Sequence, residues 1–335
     1  MCDVRPCGPG TGGWNTIASG YDDFVTPTNM KVAESILRRV GLRPGARFLD
    51  VAAGSGALGI SAARLGARVL ATDLSPVMVE RLRTRAREEG LSDFDAREMD
   101  GHDLDLEDDA FDICGSQFGV MVFPDMGRGL RETTRVTRPG GTVLVIAFGP
   151  PQTIEFIFFV MRAMQAAVPG FTPPLDPPPL PFQAADPDVL RRRMLAAGLA
   201  DVRVETVTEE LEFASAKHLW ECFTSSNPIA AAMIADLTEE MRATVRQVLD
   251  GMLRERSGGG PAAGAELPAQ HRHRREVGGR PRPGGGRARR PREPGSGSES
   301  DILAALEHAD RLLTRDRGFH QSVFEGLTIV DPAAG

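Results

Sequence analysis

Lysine, tyrosine, tryptophan and cysteine are all scarce in this chain of 335 residues. Lys31 and Lys217 are the only lysines, Tyr21 the only tyrosine, and Trp14 and Trp220 the only tryptophans. The four cysteines, Cys2, Cys7, Cys114 and Cys222, are scattered and offer no metal-ligand spacing, so no metal is expected. No stretch approaches the roughly twenty uninterrupted apolar residues of a membrane span, and the first residues lack the basic-then-apolar order of a signal peptide. A cytoplasmic location without a membrane span is the expectation. Positive charge is not in excess either. The formal net charge is −7, where a nucleic-acid binder shows a basic face, so no nucleic acid is expected as partner of the main domain. What is present is a 41% hydrophobic composition, enough for one full-size core plus an appendage.

The most informative segment is Phe48-Leu49-Asp50-Val51-Ala52-Ala53-Gly54-Ser55-Gly56-Ala57-Leu58-Gly59, an apolar strand that passes through a turn of small residues into a helix. Val69-Leu70-Ala71-Thr72-Asp73 then repeats the apolar run and ends on a carboxylate. A strand, a glycine turn, a helix and a second strand closing on an acid together build a nucleoside site, in which the acid accepts the ribose hydroxyls. Gly54, Gly56 and Gly59 also satisfy the G-x-G-x-x-G spacing of a dinucleotide site, whose pyrophosphate rests on bare amides at a helix N-terminus. The glycines alone therefore leave a nicotinamide dinucleotide open. Asp50 argues against it. It lies on the strand four residues before the first glycine and is expected to face the crevice at the strand's carboxyl end. There a carboxylate repels a diphosphate and suits a ligand carrying an ammonium and a sulfonium.

In Asp50-Val51-Ala52-Ala53-Gly54-Ser55-Gly56 the chain resembles the first motif of class I S-adenosylmethionine-dependent methyltransferases. Asp73, with Leu74 and Met78 after it, resembles the second; the resemblance puts the acid on the ribose and the apolar residues on adenine. Met99-Asp100-Gly101-His102 resembles the third and implies Asp100 as partner of the adenine amino group, with Gly101 beside it. Phe111-Asp112-Ile113-Cys114-Gly115-Ser116-Gln117-Phe118-Gly119 reads as the fourth strand and its loop, which brings Gln117 and Phe118 to the site. Arg138-Pro139-Gly140-Gly141 reads as the turn into the fifth. Trp14-Asn15-Thr16-Ile17-Ala18-Ser19-Gly20-Tyr21-Asp22 resembles the opening of the ubiquinone and menaquinone biosynthesis type, in which an aromatic-bearing helix closes over the cofactor. Tyr21 would then cap the methionine end. The implied cofactor is S-adenosyl-L-methionine. Plainer roles stand beside these: Asp73 suits a helix N-cap before Ser75-Pro76, Asp100 shares an acidic loop with Asp103, Asp105 and Asp108, and Trp14 and Tyr21 suit simple packing. His102 reads as a loop residue.

Beyond these motifs, strands are expected near 47–51, 68–72, 93–98, 111–116 and 142–147, with helices near 31–40, 57–65, 76–89 and 126–137 between them. That alternation is the pattern of an α/β fold: a Rossmann-like, doubly wound, mostly parallel sheet with helices on both faces. A helix led by Ile154-Glu155-Phe156-Ile157-Phe158-Phe159-Val160-Met161, with prolines after it, is richer in aromatics than one buried face needs; the family resemblance implies that this insertion forms a substrate lid, and its apolar character suggests an apolar acceptor. A helix near 186–197, an antiparallel edge strand near 202–207 and a largely helical 211–253 follow. The expected organisation is a leader and capping helix at 1–30, the cofactor domain at 31–149, the lid at 150–200, the rest of the catalytic domain at 201–256 and an aberrant tail at 257–335.

The tail is rich in Arg, Gly and Pro up to about 300, where the family resemblance leads one to expect a seventh, apolar strand. Residues 265–276, written back as codons and read one nucleotide later, can spell Leu-Asn-Ser-Pro-Leu-Asn-Ile-Gly-Ile-Gly-Val. That suggests a frameshift near 264 and a terminal strand lost from this chain; a basic linker able to touch nucleic acid or an anionic membrane is the alternative. The arginine bias is that of a GC-rich bacterial genome.

The chemistry expected is methyl transfer to an oxygen or carbon of an apolar small molecule of quinone, polyketide or lipid-like kind. The enzyme contributes mainly positioning, and a base is needed only if the acceptor must lose a proton. Tyr21, Glu155 and His218 are the candidates. Ser116-Gln117-Phe118-Gly119 stands where amide-methylating enzymes carry an Asn/Asp-Pro-Pro-aromatic motif, which disfavours that subclass. An NAD-dependent oxidoreductase and a non-catalytic cofactor-binding protein remain as alternatives.

Overall fold

The computed structural model describes residues 10–173, 178–206, 213–226 and 228–256, together with the backbone of 327–330. The chain separates into one unit of residues 1–263 and 321–335 and another of 264–320. The second unit lies outside the described residues, and with it the shifted-frame peptide considered at 265–276.

Five parallel strands form the sheet: β1 (Arg47–Val51), β2 (Arg68–Asp73), β3 (Phe94–Glu98), β4 (Phe111–Gln117) and β5 (Thr137–Ile146), side by side in the order β3-β2-β1-β4-β5. The strand order reverses between β1 and β4, the point at which a doubly wound sheet opens a crevice at its carboxyl ends. Period-two alternation sorts the strand residues into two core layers. Phe48, Ile113, Leu144 and Ile146 pack into one, while Leu49, Val51, Cys114, Val143 and Val145 pack into the other. On the first face lie α2 (Thr26–Arg39) and α3 (Ala57–Arg64), joined by α6 (Glu155–Ala167), α8 (Ala216–Thr224) and α10 (Glu239–Arg256). On the second lie α5 (Met126–Val136) and α7 (Pro187–Ala196).

Local signals account for the helix starts. α4 (Pro76–Glu88) opens with Pro76 at its first position, and the Ser75 hydroxyl accepts the Met78 N–H at 3.1 Å, so Ser75 and not Asp73 is its N-cap. Asp125 and Asp186 cap α5 and α7 in the same way, accepting from Arg128 and Asp188. The second helix begins at Thr26, earlier than its apolar spacing suggests, because α1 (Thr11–Gly20) runs into it through a π-helical turn at Tyr21–Val25. The helical stretch near 211–253 resolves into α8, α9 (Pro228–Met233) and α10.

The terminal strand is not lost. β6 (Val202–Glu205) is an edge strand, and β7 (Leu327–Val330) lies between it and β5, antiparallel to both. Four residues, Leu327-Thr328-Ile329-Val330, satisfy the strand pattern. They were missed because so short a run after a long aperiodic segment carries little periodic signal. A seven-stranded mixed sheet results.

Ile329 stands opposite Leu144 on β5 and Arg203 on β6. A proline there removes a ladder N–H from an interior strand and leaves its partner carbonyl unpaired, so Ile329→Pro is expected to lower unfolding stability by about 1–3 kcal/mol. Urea titration followed by circular dichroism checks this; a variant as stable as the parent chain contradicts the placement of β7.

Candidate functional site

The turn after β1 needs left-handed backbone at three places, with φ of 55° at Ala52, 56° at Gly54 and 105° at Gly56. A Cβ on Gly56 would also lie 2.6 Å from the Leu82 side chain and 2.8 Å from Ile60, so this glycine serves the turn and the packing of α3 on α4. A Cβ on Gly54 would lie 3.1 Å from the Tyr21 ring, so its bareness lets that ring close down on the turn. Asp73, at the end of β2, ties the turn together: its carboxylate accepts the Gly54 N–H and the Ser75 N–H, both at 2.8 Å. Burial raises its pKa to about 6 despite those two bonds.

Around this knot lies a cavity of about 720 Å³. Tyr21, Ala52, Gly54, Asp73, Leu74, Met78, Asp100, Gly101, Gln117 and Phe118, all expected from sequence, line it together. His102 lines it too. Its ring Nδ1 and its N–H both meet Asp100 Oδ1, at 2.7 and 2.9 Å, and the ring packs on Phe123 at 4.6 Å between centroids. Partial burial opposes ionisation of Asp100, yet the His102 bonds and the Arg128 charge outweigh it and hold the carboxyl below the usual range. Gln117 donates to the Asn29 carbonyl at 2.9 Å, while its Oε1 is buried with no hydrogen-bond partner among the described residues. Two carboxylates, an orphaned buried acceptor and no lysine or arginine on the described lining fit a cationic ligand and oppose a diphosphate.

Asp50 requires a correction. It is 1% exposed and does not line the cavity; its Oδ2 accepts the Gly59 N–H of α3 at 2.7 Å, and its Oδ1 has no partner among the described residues. Strand alternation explains the outcome. Asp50 shares the face of Phe48, toward α3, and the bare Gly59 lets the helix descend on it, since a Cβ there would lie 3.0 Å from Oδ2. Burial, with the Asp73 charge adding and the Gly59 bond opposing, pushes its pKa up to about 8.

Two of the candidate bases are engaged away from the cavity walls. Glu155 Oε1 accepts from Arg256 Nε at 2.7 Å. His218 Nδ1 accepts the Ala214 N–H at 3.1 Å while the ring packs against Phe24 and Phe213, so the neutral imidazole carries its proton on Nε2 and has no lone pair left for a substrate. Neither residue lines either cavity.

A second cavity, of about 630 Å³, adjoins the first, and Trp14, Tyr21, Phe118 and Val122 line both. No sequence motif marks most of its remaining wall: Phe24, Asn29, Met121, Phe148, Phe213 and Ser226. Phe148 and Phe213 stand in connectors, where no periodic pattern marks them. The wall draws on α6 through Phe156 and on α8 through Cys222, so it is not confined to the 150–200 insertion. α7, within that insertion, packs instead on α5 and β6. The N-terminal helices that roof both cavities are fastened to α4. The Ser75 hydroxyl donates to Asn15 Oδ1 at 2.6 Å, and Asp22 pairs with Arg81 at 2.9 Å and with Arg85.

Residues 49–145 match the family model described as a methyltransferase domain. An uncharacterized protein of Mycobacterium tuberculosis H37Rv is 37% identical over 139 residues, which cover 42% of this chain and 50% of that protein. The ubiquinone/menaquinone biosynthesis C-methyltransferase of Bdellovibrio bacteriovorus is 32% identical over 143 residues, 41% of this chain and 60% of that one. A solved SAM-dependent methyltransferase of Aquifex aeolicus aligns with a TM-score of 0.40 at 19% identity, over 53% of this chain and 83% of that one. The chain thus spans about half the length of the first of these relatives.

The buried Asp50 carries a stability signature. Its folded pKa of about 8 lies above the value of about 3.9 in an unfolded chain. The native state therefore holds a proton that the unfolded chain releases, and stability is lost as the pH rises toward 8. Between pH 6, where Asp73 titrates, and pH 8, unfolding free energy is expected to fall more steeply in the parent chain than in Asp50→Asn, by up to about 1.4 kcal/mol per pH unit. Urea titrations of the two proteins at each pH measure the difference, and parallel curves contradict the assignment.

Proposed function

We propose that this chain, whose residues 49–145 match a methyltransferase domain, is a class I S-adenosylmethionine-dependent enzyme that transfers a methyl group to an oxygen or carbon of an apolar small molecule of quinone, polyketide or lipid-like kind. One observation carries the reading: an acidic cavity and an apolar cavity meet at Trp14, Tyr21, Phe118 and Val122, as a cationic donor and an apolar acceptor require. S-adenosylmethionine, when bound, supplies an electrophilic methyl on sulfur. Asp73 holds the ribose diol with the carboxylate lone pairs left over from the Gly54 and Ser75 bonds. Leu74 and Met78 pack the adenine, and Asp100 with Gly101 borders it. Tyr21 and Trp14 close the methionine end and keep water out of both cavities. Gly56 and Asp50 shape the turn from behind without touching the ligand.

The acceptor side is walled by α6, α8 and the N-terminal helices. A third cavity, of about 610 Å³ and almost wholly apolar, shares Phe148, Phe156 and Ser226 with the second and gives room for an extended acceptor. The Bdellovibrio relative, a ubiquinone/menaquinone biosynthesis C-methyltransferase, supports a quinone-like head group. No helix among the described residues is long and apolar enough to cross a membrane. The alternative of a nicotinamide dinucleotide has little support, since the Gly54 amide that would face a diphosphate is already taken by the Asp73 carboxylate.

Calorimetry is expected to show binding of S-adenosylmethionine and none of NAD, and incubation of cell-extract metabolites with methyl-labelled donor to mark an apolar product. Asp73→Ala should weaken donor binding by about 1–3 kcal/mol. Because the donor prefers the ionised carboxylate, affinity should be level well above pH 6 and decline below it, by up to about tenfold per pH unit, as Asp73 takes up its proton. NAD binding in place of the sulfonium donor, or an unchanged affinity in Asp73→Ala, contradicts the reading.

A further inference from the structure

We propose that the Tyr21 hydroxyl donates a hydrogen bond to an ionised oxygen of the acceptor, so that the apolar cavity takes enols or phenols that arrive already deprotonated. The inference rests on the functional reading above and reverses the role of base considered for Tyr21 from sequence. Tyr21 lies in the π-helical turn between α1 and α2, at the junction of the two cavities, and lines both. Its hydroxyl oxygen accepts from Asn29 Nδ2 at 3.5 Å, and among the described residues its proton has no acceptor. A phenol whose lone pair is engaged and whose proton is unassigned is set to donate to a ligand.

The rest of the described acceptor wall offers nothing to receive a proton. Thr28, Asn29 and Ser226 are neutral, and Cys222 is the other titratable residue on that wall. Its Sγ donates to the Phe24 carbonyl at 3.4 Å, and burial, with the Glu221 charge adding, pushes the thiol up to about 12. Tyr21 itself is held well above the usual tyrosine range, first by burial and then by the charge of Asp73, with Asp50 adding and the Asn29 bond opposing. It keeps its proton at neutral pH. An acceptor that needs deprotonation must therefore bring its own acidity, as a hydroxyl conjugated to a carbonyl, a nitro group or a fused aromatic ring does. No lysine or arginine lines either cavity among the described residues, so the countercharge for the bound anion comes from the occupant of the donor cavity.

A nitronaphthol, an apolar phenol whose ionisation is visible by absorbance, tests this on the full chain with sinefungin in the donor cavity, whose amine keeps a positive charge in place of the sulfonium and has no methyl to transfer. Its ionisation is titrated when bound to the parent chain and to Tyr21→Phe, which keeps the ring over Gly54 and removes only the hydroxyl. Loss of one charge-assisted hydrogen bond is expected to disfavour the bound phenolate about tenfold, raising its pKa by one unit in the variant. Asn29→Ala should give a smaller change of the same sign. Calorimetry on the same samples follows donor-site binding separately. A protein that binds sinefungin and shows equal ionisation in both forms, or does not bind the dye, overturns the Tyr21 role alone. A protein that binds no donor ligand overturns the functional reading and this inference with it.

Discussion

The Asp73 carboxylate, buried against the Gly54 and Ser75 amides, is the contact on which the site depends. It stops β2, fixes the left-handed turn after β1 and sets the start of α4, whose Ser75 cap it holds in place. Each of these places a wall of the acidic cavity. The cost is visible in the same residue, because burial lifts its pKa to about 6 and leaves a group that gains from a cationic neighbour. Backbone strain gathers at the same place: Ala52 and Phe118, two of the four residues other than glycine with positive φ among the described residues, both line this cavity. Strain of that kind persists where the surrounding structure over-determines it.

Charge complementarity therefore comes from a different acid than the strand pattern suggests. Asp50 stands in the motif that carries the family resemblance, yet its carboxylate is spent on the Gly59 amide behind the turn. Its contribution is to hold α3 close to β1. The residues that face the cavity are Asp73 and Asp100, one at the end of β2 and one just past β3, on neighbouring strands. The roof is a separate matter. Asp22 and Asn15 fasten the N-terminal helices to α4, so one helix carries a wall of the acidic cavity on its first turn and the anchor of the roof along its length.

Much of this was legible in the sequence, for identifiable reasons. β1, β2 and the second half of β5 are near-continuous apolar runs bounded by Gly, Pro or Asp, and the site residues follow strand ends in chain order, so periodicity and motif order located both. Three things resisted. The direction of Asp50 depends on which face of β1 meets α3, a tertiary fact. The aromatic wall of the second cavity comes from connectors and from faces of α6 and α8 whose apolar residues look the same whether they meet core or ligand. β7 is four residues whose partners lie far away in the chain, and short strands are defined by their neighbours more than by their own composition.

That last strand has a consequence for how the molecule is made. β6 ends at Glu205, but the strand that joins it to the sheet begins only at Leu327, so β6 is stranded until most of the following chain has left the ribosome. Closing so long a loop is entropically slow, and topologies dominated by distant pairings fold late. Through that interval the outer edge of β5 presents unpaired backbone to every other nascent chain nearby, which makes edge-to-edge aggregation during synthesis the characteristic hazard of this fold.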